Sequence, residues 1–223
     1  MSAPKVYRSL ITHHCSLLCC VLLLVGCAIP LVPYRAVYED PVNYVRLEMD
    51  DSVLPEWPPS AHTHPKTINA EEMARLLRGI LVKEHRIWLQ KWTQGEAPLM
   101  PAFRPEELAL LSQEMAEAFA VAQPDERVTF YLSQPQTSVK RIITSGGVYI
   151  HGTELHLTLG NWQVLYGIPT YGMIYDRRYP MRPTAAKGFD LFFDPGKATV
   201  IQQHSFLDTL FANTKDELVI DLT

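Results

Sequence analysis

The sequence predicts an α+β fold, two N-terminal helices packed on a mostly antiparallel sheet. Three observations carry that expectation. Between residues 69 and 122 apolar side chains recur at helical spacing in two runs, parted at Gly95. From residue 127 onward, apolar and polar residues alternate in short β-rich runs separated by Gly, Pro, Asp and Ser. The resulting order, a strand, two helices and then a succession of strands, is that of an antiparallel sheet with its helices on one face.

Taken in order, VNYVRLEM (residues 42–49) alternates as a strand, and residues 50–67, with four prolines, read as a loop. Asn69 followed three residues on by Glu72 is a capping-box arrangement. Leu76, Leu77, Ile80, Leu81, Ile87, Trp88 and Trp92 then lie on one broad helical stripe, so the first helix is expected to run to about Trp92. Pro105 suits a first-turn position, and Glu106 and Glu107 sit where the helix dipole favours anions. Leu108, Leu111, Met115, Ala118, Phe119 and Ala122 form one face of this second helix, which Pro124 stops. Strands are expected over 127–133, 140–144, 148–151, 154–159, 191–193, 198–202 and 218–220. Ser145-Gly146-Gly147 separates the second and third of these, and the His-Gly-Thr turn at 151–153 makes the third and fourth a hairpin. Asp194-Pro195-Gly196-Lys197 is a turn, and residues 205–213 read as a helical turn or two.

The N-terminus carries a different message. All four cysteines lie within the first 27 positions. Residues 1–14 hold Lys5 and Arg8 and no acid, and residues 15–26, CSLLCCVLLLVG, are apolar and uncharged. A cationic segment followed by an apolar one is the physical form of a secretory signal. Leu24-Val25-Gly26-Cys27 at its end resembles the lipobox of bacterial lipoproteins. The resemblance covers residues 1–27. It implies a diacylglyceryl group on the Cys27 sulfur, cleavage before Cys27, and acylation of the new amine. Ala28 follows; in Gram-negative lipoproteins an aspartate there tends to retain the protein at the inner membrane, so its absence implies the outer membrane, facing the periplasm. An uncleaved signal anchor is the competing reading, since the apolar run extends to Val32, but Gly26 and Pro30 weaken its end. The expected organisation is a leader over 1–26, a lipidated tether over 27–41 with three prolines, and one α+β domain over 42–223.

Cleavage would discard Cys15, Cys19 and Cys20 and leave Cys27 lipidated. That excludes a disulfide framework, a cysteine nucleophile, a zinc–thiolate site and an iron–sulfur site. The chain has a formal charge of −4 and no basic run, so neither nucleic-acid binding nor electrostatic membrane docking is expected.

Candidate chemistry is sparse. His62 and His64, two apart in an extended loop and close in sequence to Glu48, Asp50 and Asp51, invite a metal reading; two polar side chains on an exposed loop is the simpler one. His151 and His156 flank the hairpin turn. Ser145 lacks the strand-to-helix elbow of a hydrolase nucleophile; Asp190 and Asp194 bracket Leu-Phe-Phe at a spacing that puts both on one face of a strand, where paired carboxylates could divide acid and base roles, but one facing solvent and the other starting a turn is the simpler reading. No phosphate loop or dinucleotide fingerprint occurs, and no cofactor or metal is expected. Residues 166–183 hold four tyrosines and three arginines among prolines and glycines. Tyr166, Tyr171, Tyr175, Arg177, Arg178 and Tyr179 are the candidate partner-binding residues, against the alternative of a loop packed on the sheet. The functional expectation is a membrane-anchored envelope lipoprotein, a non-enzymatic binding or assembly component with an envelope protein as partner. A lipid-anchored periplasmic hydrolase and a small-ligand-binding lipoprotein are the alternatives.

Overall fold

Strand pairing dominates the structure. The computed structural model describes residues 31–53, 61–138, 140–167, 177–184, 188–195, 198–203 and 215–223. The elements, all within the unit Val32–Thr223, are β1 (Tyr34–Glu39), β2 (Tyr44–Met49), α1 (Ala70–Gly79), β3 (Ile80–Glu84), α2 (Trp88–Gln94), β4 (Leu99–Pro101), α3 (Pro105–Val121), β5 (Glu126–Thr137), β6 (Lys140–His151), β7 (Glu154–Gly167), β8 (Phe189–Phe193), β9 (Ala198–Gln203) and β10 (Lys215–Asp221). Seven strands form one sheet in the order β1-β2-β5-β6-β7-β10-β9, and three form a second in the order β4-β3-β8. Every pairing is antiparallel.

This corrects the expected α+β class with two N-terminal helices on a sheet. The fold is largely β, and the three helices among the described residues, of 10, 7 and 17 residues, are inserted between β2 and β5. The main cause is the stripe from Leu76 to Trp92, which is not one helix. Asn69 caps α1 as expected, its Oδ1 accepting from Glu72 N at 2.8 Å. The helix then ends at Gly79, packed so closely that an added Cβ would lie 2.6 Å from the Phe193 ring. Ile80, Leu81 and Val82 instead pair with β4 and β8. Strands also extend where breaks were read. Tyr34–Glu39, within the expected tether, pairs with β2. β6 runs unbroken through Ser145-Gly146-Gly147 because the Phe130 ring and the neighbouring strand occupy the space a side chain at Gly146 would need. The hairpin at 151–153 is present, with His151 opposite Glu154 and Gly152 at φ 62°. Residues 205–213 lie outside the described residues.

One face of the large sheet carries Val45, Leu47, Val128, Phe130, Val148, Ile150, Leu155, Leu157, Leu218 and Ile220 into a core shared with Met73 and Leu77 of α1 and Leu111, Met115, Ala118 and Phe119 of α3. The opposite face is also buried, although it is polar, as described below. α3 begins at Pro105, and the Glu107 carboxylate accepts the exposed N–H of Arg104 at 2.9 Å. Phe119 has no solvent exposure and meets His64 edge-on at 5.3 Å. Truncating it by Phe119→Ala is expected to destabilise the fold by about 3–5 kcal/mol. The reading is a lower urea midpoint at unchanged slope; a loss below about 1 kcal/mol would mean that the core does not hold α3.

Candidate interaction surface

β3 and β4 pair from Leu81↔Pro101 to Lys83↔Leu99, and the chain between them forms the end of a hairpin that contains α2. This end is firmly built. The Arg86 guanidinium donates to the carbonyls of Gln94, Gly95 and Glu96 at 3.2, 3.0 and 3.3 Å, groups that a helix terminus leaves open. Gln90 Oε1 accepts from Ile87 N at 3.1 Å, Gly95 turns the chain at φ 73°, and Lys83 pairs with Glu96 at 3.1 Å. Yet no residue of α2 is buried. Trp88 is 77% exposed and Trp92 81%, and Ile87, Leu89 and Leu99 are exposed with them. At about 100° per residue, Trp88, Leu89 and Trp92 share one arc of the helix and Gln90 and Gln94 lie on the other side. A surface helix ordinarily turns its apolar arc inward. Here Gln90 and Gln94, themselves exposed, border an open cleft, and the indoles face out.

The cleft has a volume of about 460 Å³, and its walls include His85, Arg86, Gln90, Gln94, Asn161 and Phe189. His85 Nε2 lies 2.8 Å from Asp190 Oδ1. A carboxylate that orients an imidazole is half of a nucleophilic apparatus, but the described residues lining the cleft include no hydroxyl or thiol. Its polar lining is mixed: Gln90 and Gln94 are exposed, Glu84 adds an acid, and Arg86 and Asn161 are already bonded within the fold. Asp194 is separate, its N–H bonded to Gly79 O at 2.9 Å.

The second face of the large sheet holds the ionisable groups. Glu48, Arg127, Tyr149, His156 and Glu217 lie on it, with Asp50 and His62 at its end. Asp50 receives His62 Nε2 at 3.0 Å, Arg127 at 3.2 Å and the Ser52 hydroxyl at 2.7 Å. Burial pushes its carboxyl up, but these partners outweigh burial and hold it well below the ordinary carboxylate range. Burial pushes Glu48 up against the pull of Arg127 and Arg46. Burial and a hydrogen bond to Glu217 raise the Tyr149 phenol, whose ring stacks on His156 at 4.6 Å and on His62 at 4.3 Å. His62 and His64 are therefore buried, not exposed as their proline-rich context suggested. They point to different partners: His64 Nε2 accepts from Ile150 N at 3.1 Å, on the core side. His151 stands 6.5 Å from His156. Among the described residues no group of three His, Cys, Asp or Glu side chains has a metal-binding arrangement.

Of the expected site residues, Cys27, Tyr171 and Tyr175 lie outside the described residues. Tyr166 is in β7, opposite Arg141. Arg177, Arg178 and Tyr179 belong to a strap, residues 177–184, that packs on the second face. Tyr44 donates its hydroxyl to Arg177 O, Ser145 donates to Pro180 O at 2.7 Å, and buried Asn161 donates to Arg182 O at 2.9 Å and accepts from Thr184 N at 2.9 Å. Ser145 is thus a tie for the strap. Arg177 donates to Pro41 O at 2.9 Å and reaches Glu39 at 3.3 Å, so it fastens the strap to the β1–β2 turn; Arg178 is exposed. Sequence reading missed Ile87, Leu89 and Leu99 as a surface, and Asn161 as the strap's anchor. One signal was available: IWLQKWTQG sets two tryptophans four apart, with glutamines on the other arc.

Two outcomes follow for the second face. Burial, with His62 adding to it, pushes the His64 imidazole down to about 4. The unfolded chain takes up this proton near pH 6.5 and the folded chain does not, so stability falls as pH falls from 6.5 to about 4, by at most about 3 kcal/mol. Urea melts at stepped pH should give a shallower fall for His64→Gln, which keeps an acceptor for Ile150; equal slopes would refute the assignment. The strap depends on a small residue in β7, since a Cβ at Gly160 would lie 2.5 Å from Pro180 O. Gly160→Ala should cost about 1–3 kcal/mol and raise proteolysis within 177–184; an unchanged cleavage rate would mean the strap is held elsewhere. No protein-family model, curated protein or solved structure matches the chain.

Proposed function

We propose that this chain is a lipid-anchored protein of the bacterial envelope, held through Cys27 on the periplasmic face of the outer membrane. Its β-rich domain binds or positions another envelope component and catalyses no reaction. The observation that carries the reading is Leu24-Val25-Gly26-Cys27 at the end of the uncharged run 15–26, behind Lys5 and Arg8. No helix among the described residues is long and apolar enough to cross a membrane, and the chain's charge of −4 offers no electrostatic attachment. Acyl chains supply attachment instead: each buried methylene contributes about 0.8 kcal/mol, and two or three chains hold a protein almost permanently. The hairpin end supports a contact role, because an ordered element that keeps five large apolar side chains in water marks an interaction surface. A second reading, a small-ligand-binding lipoprotein, is favoured by the cleft of about 460 Å³ beside α2.

The reading is tested at Cys27. Mass spectrometry of the N-terminal peptide from the native host should find a diacylglyceryl-modified Cys27 at the new terminus. Cys27→Ser should shift the protein from the membrane fraction to the soluble fraction or stall it as precursor. An unmodified Cys27, or cleavage elsewhere, ends the proposal.

A further inference from the structure

We propose that the end of the β3–β4 hairpin is a lipid-docking element, with Trp88, Trp92 and Leu89 seated in the interface of an anionic bilayer. The inference rests on the anchored reading for its setting and on separate residues for its contact.

Four observations select a bilayer as the occupant. First, both indoles point to solvent on a helix with no buried residue. The backbone that holds them there is fastened at Arg86, Gly95 and Lys83. Second, the residues are of the right kind. Tryptophan has an apolar body and one N–H donor, so it concentrates where hydrocarbon meets headgroup. Third, local charge is low. From Ile87 to Gly95 the only charged residue is Lys91, and around it Lys83, Arg86 and Lys91 are matched by Glu84, Glu96 and Asp190, the last opposite Lys83, in a chain whose net charge is −4. The nearest acid, Glu96, is engaged by Lys83 at 3.1 Å and Lys91 at 3.5 Å. A near-neutral apolar end is the part of an acidic chain that an anionic surface repels least. Fourth, the apolar side chains are gathered at one small end of the molecule: Trp88, Leu89 and Trp92 on a seven-residue helix, with Ile87 and Leu99 beside it. A wedge of one short helix needs only to enter about 5–10 Å to bury it in a membrane.

The consequence is orientational. A lipidated terminus alone leaves a domain free to swivel on its tether. A second contact through the hairpin end fixes which side of the sheet faces the lipid, and it brings the adjacent cleft, with His85 and Arg86, to the headgroup region.

The test uses the full chain reconstituted into vesicles of phosphatidylglycerol and phosphatidylethanolamine, with acyl chains brominated as contact quenchers of tryptophan. Flotation scores attachment, and quenching scores the hairpin end. Wild type should float and lose about half of its emission relative to unbrominated vesicles, with an indole lodged at acyl depth. Trp88→Ala/Trp92→Ala should float equally, melt within a few degrees of wild type and lose most of that quenching. Lys91→Glu, which keeps both indoles, should weaken quenching on the anionic vesicles and covers the case in which the double variant does not fold. A floated chain with no quenching overturns the inference, as does quenching that the double variant leaves unchanged. So does a photo-crosslinker at position 92 that captures only protein, whether a second copy or an envelope protein. An unmodified Cys27 in cells would remove the anchor and leave the quenching result standing; a lipidated, floated chain with an unquenched end would do the reverse.

Discussion

Burying both faces of an antiparallel sheet is the constraint on which the rest of this structure depends. Such sheets commonly leave one face to water. Here β2 is buried along nearly its whole length, Tyr44, Arg46 and Glu48 on one face and Val45 and Leu47 on the other. The apolar face is served by α1 and α3 in the ordinary way. The other face carries charges out of water, which is tolerable only if each group finds a partner. Asp50 therefore collects His62, Arg127 and Ser52, and Glu48 sits between two arginines. Arg46 pairs with Glu39 at 2.6 Å and lies over Tyr44 and Tyr34.

The connections are shaped by that demand. The loop bringing His62 and His64 wraps the end of the sheet so that one imidazole serves each face: His62 stacks on Tyr149 and His64 meets Phe119. The strap at 177–184 closes the opposite part of the polar face through backbone carbonyls, and it enters where β7 has a register shift and Gly160 leaves room for Pro180 and Met181. Asn161 ties strand and strap by using both ends of its amide. Arginines and tyrosines that sequence composition marks as contact residues are thus partly consumed in holding the fold: Arg177 lies over Tyr44 and Tyr131.

The hairpin end stands apart because it reverses the rule. A protein that buries charge at some cost also keeps two indoles in water, on a helix whose arginine and glycine leave it little freedom. Neither arrangement lowers the energy of the isolated chain. The first fixes which partner each charged group on the polar face must meet, and the second is the feature on which the proposed bilayer contact rests.

The sequence by itself determined what is local. The Asn69 cap, the Pro105 helix start, the apolar face of α3, the hairpin at 151–153 and the lipobox-like run ending at Cys27 are each written in residues close together in the chain. What only tertiary structure decided depends on neighbours remote in sequence. Whether Leu76 to Trp92 is one helix turns on the Phe193 ring beside Gly79 and on strands β4 and β8, which compete for the backbone of Ile80 to Lys83. Whether Gly146 and Gly147 break a strand turns on Phe130 and Met181 filling the space they leave. Whether His62 and His64 are exposed turns on Asp50 and Ile150. A periodic apolar pattern records that a side chain is fit for burial, and it is blind to which surface does the burying; Trp88 and Trp92 fit the core stripe and were left outside it because the protein's own interior had no place for them.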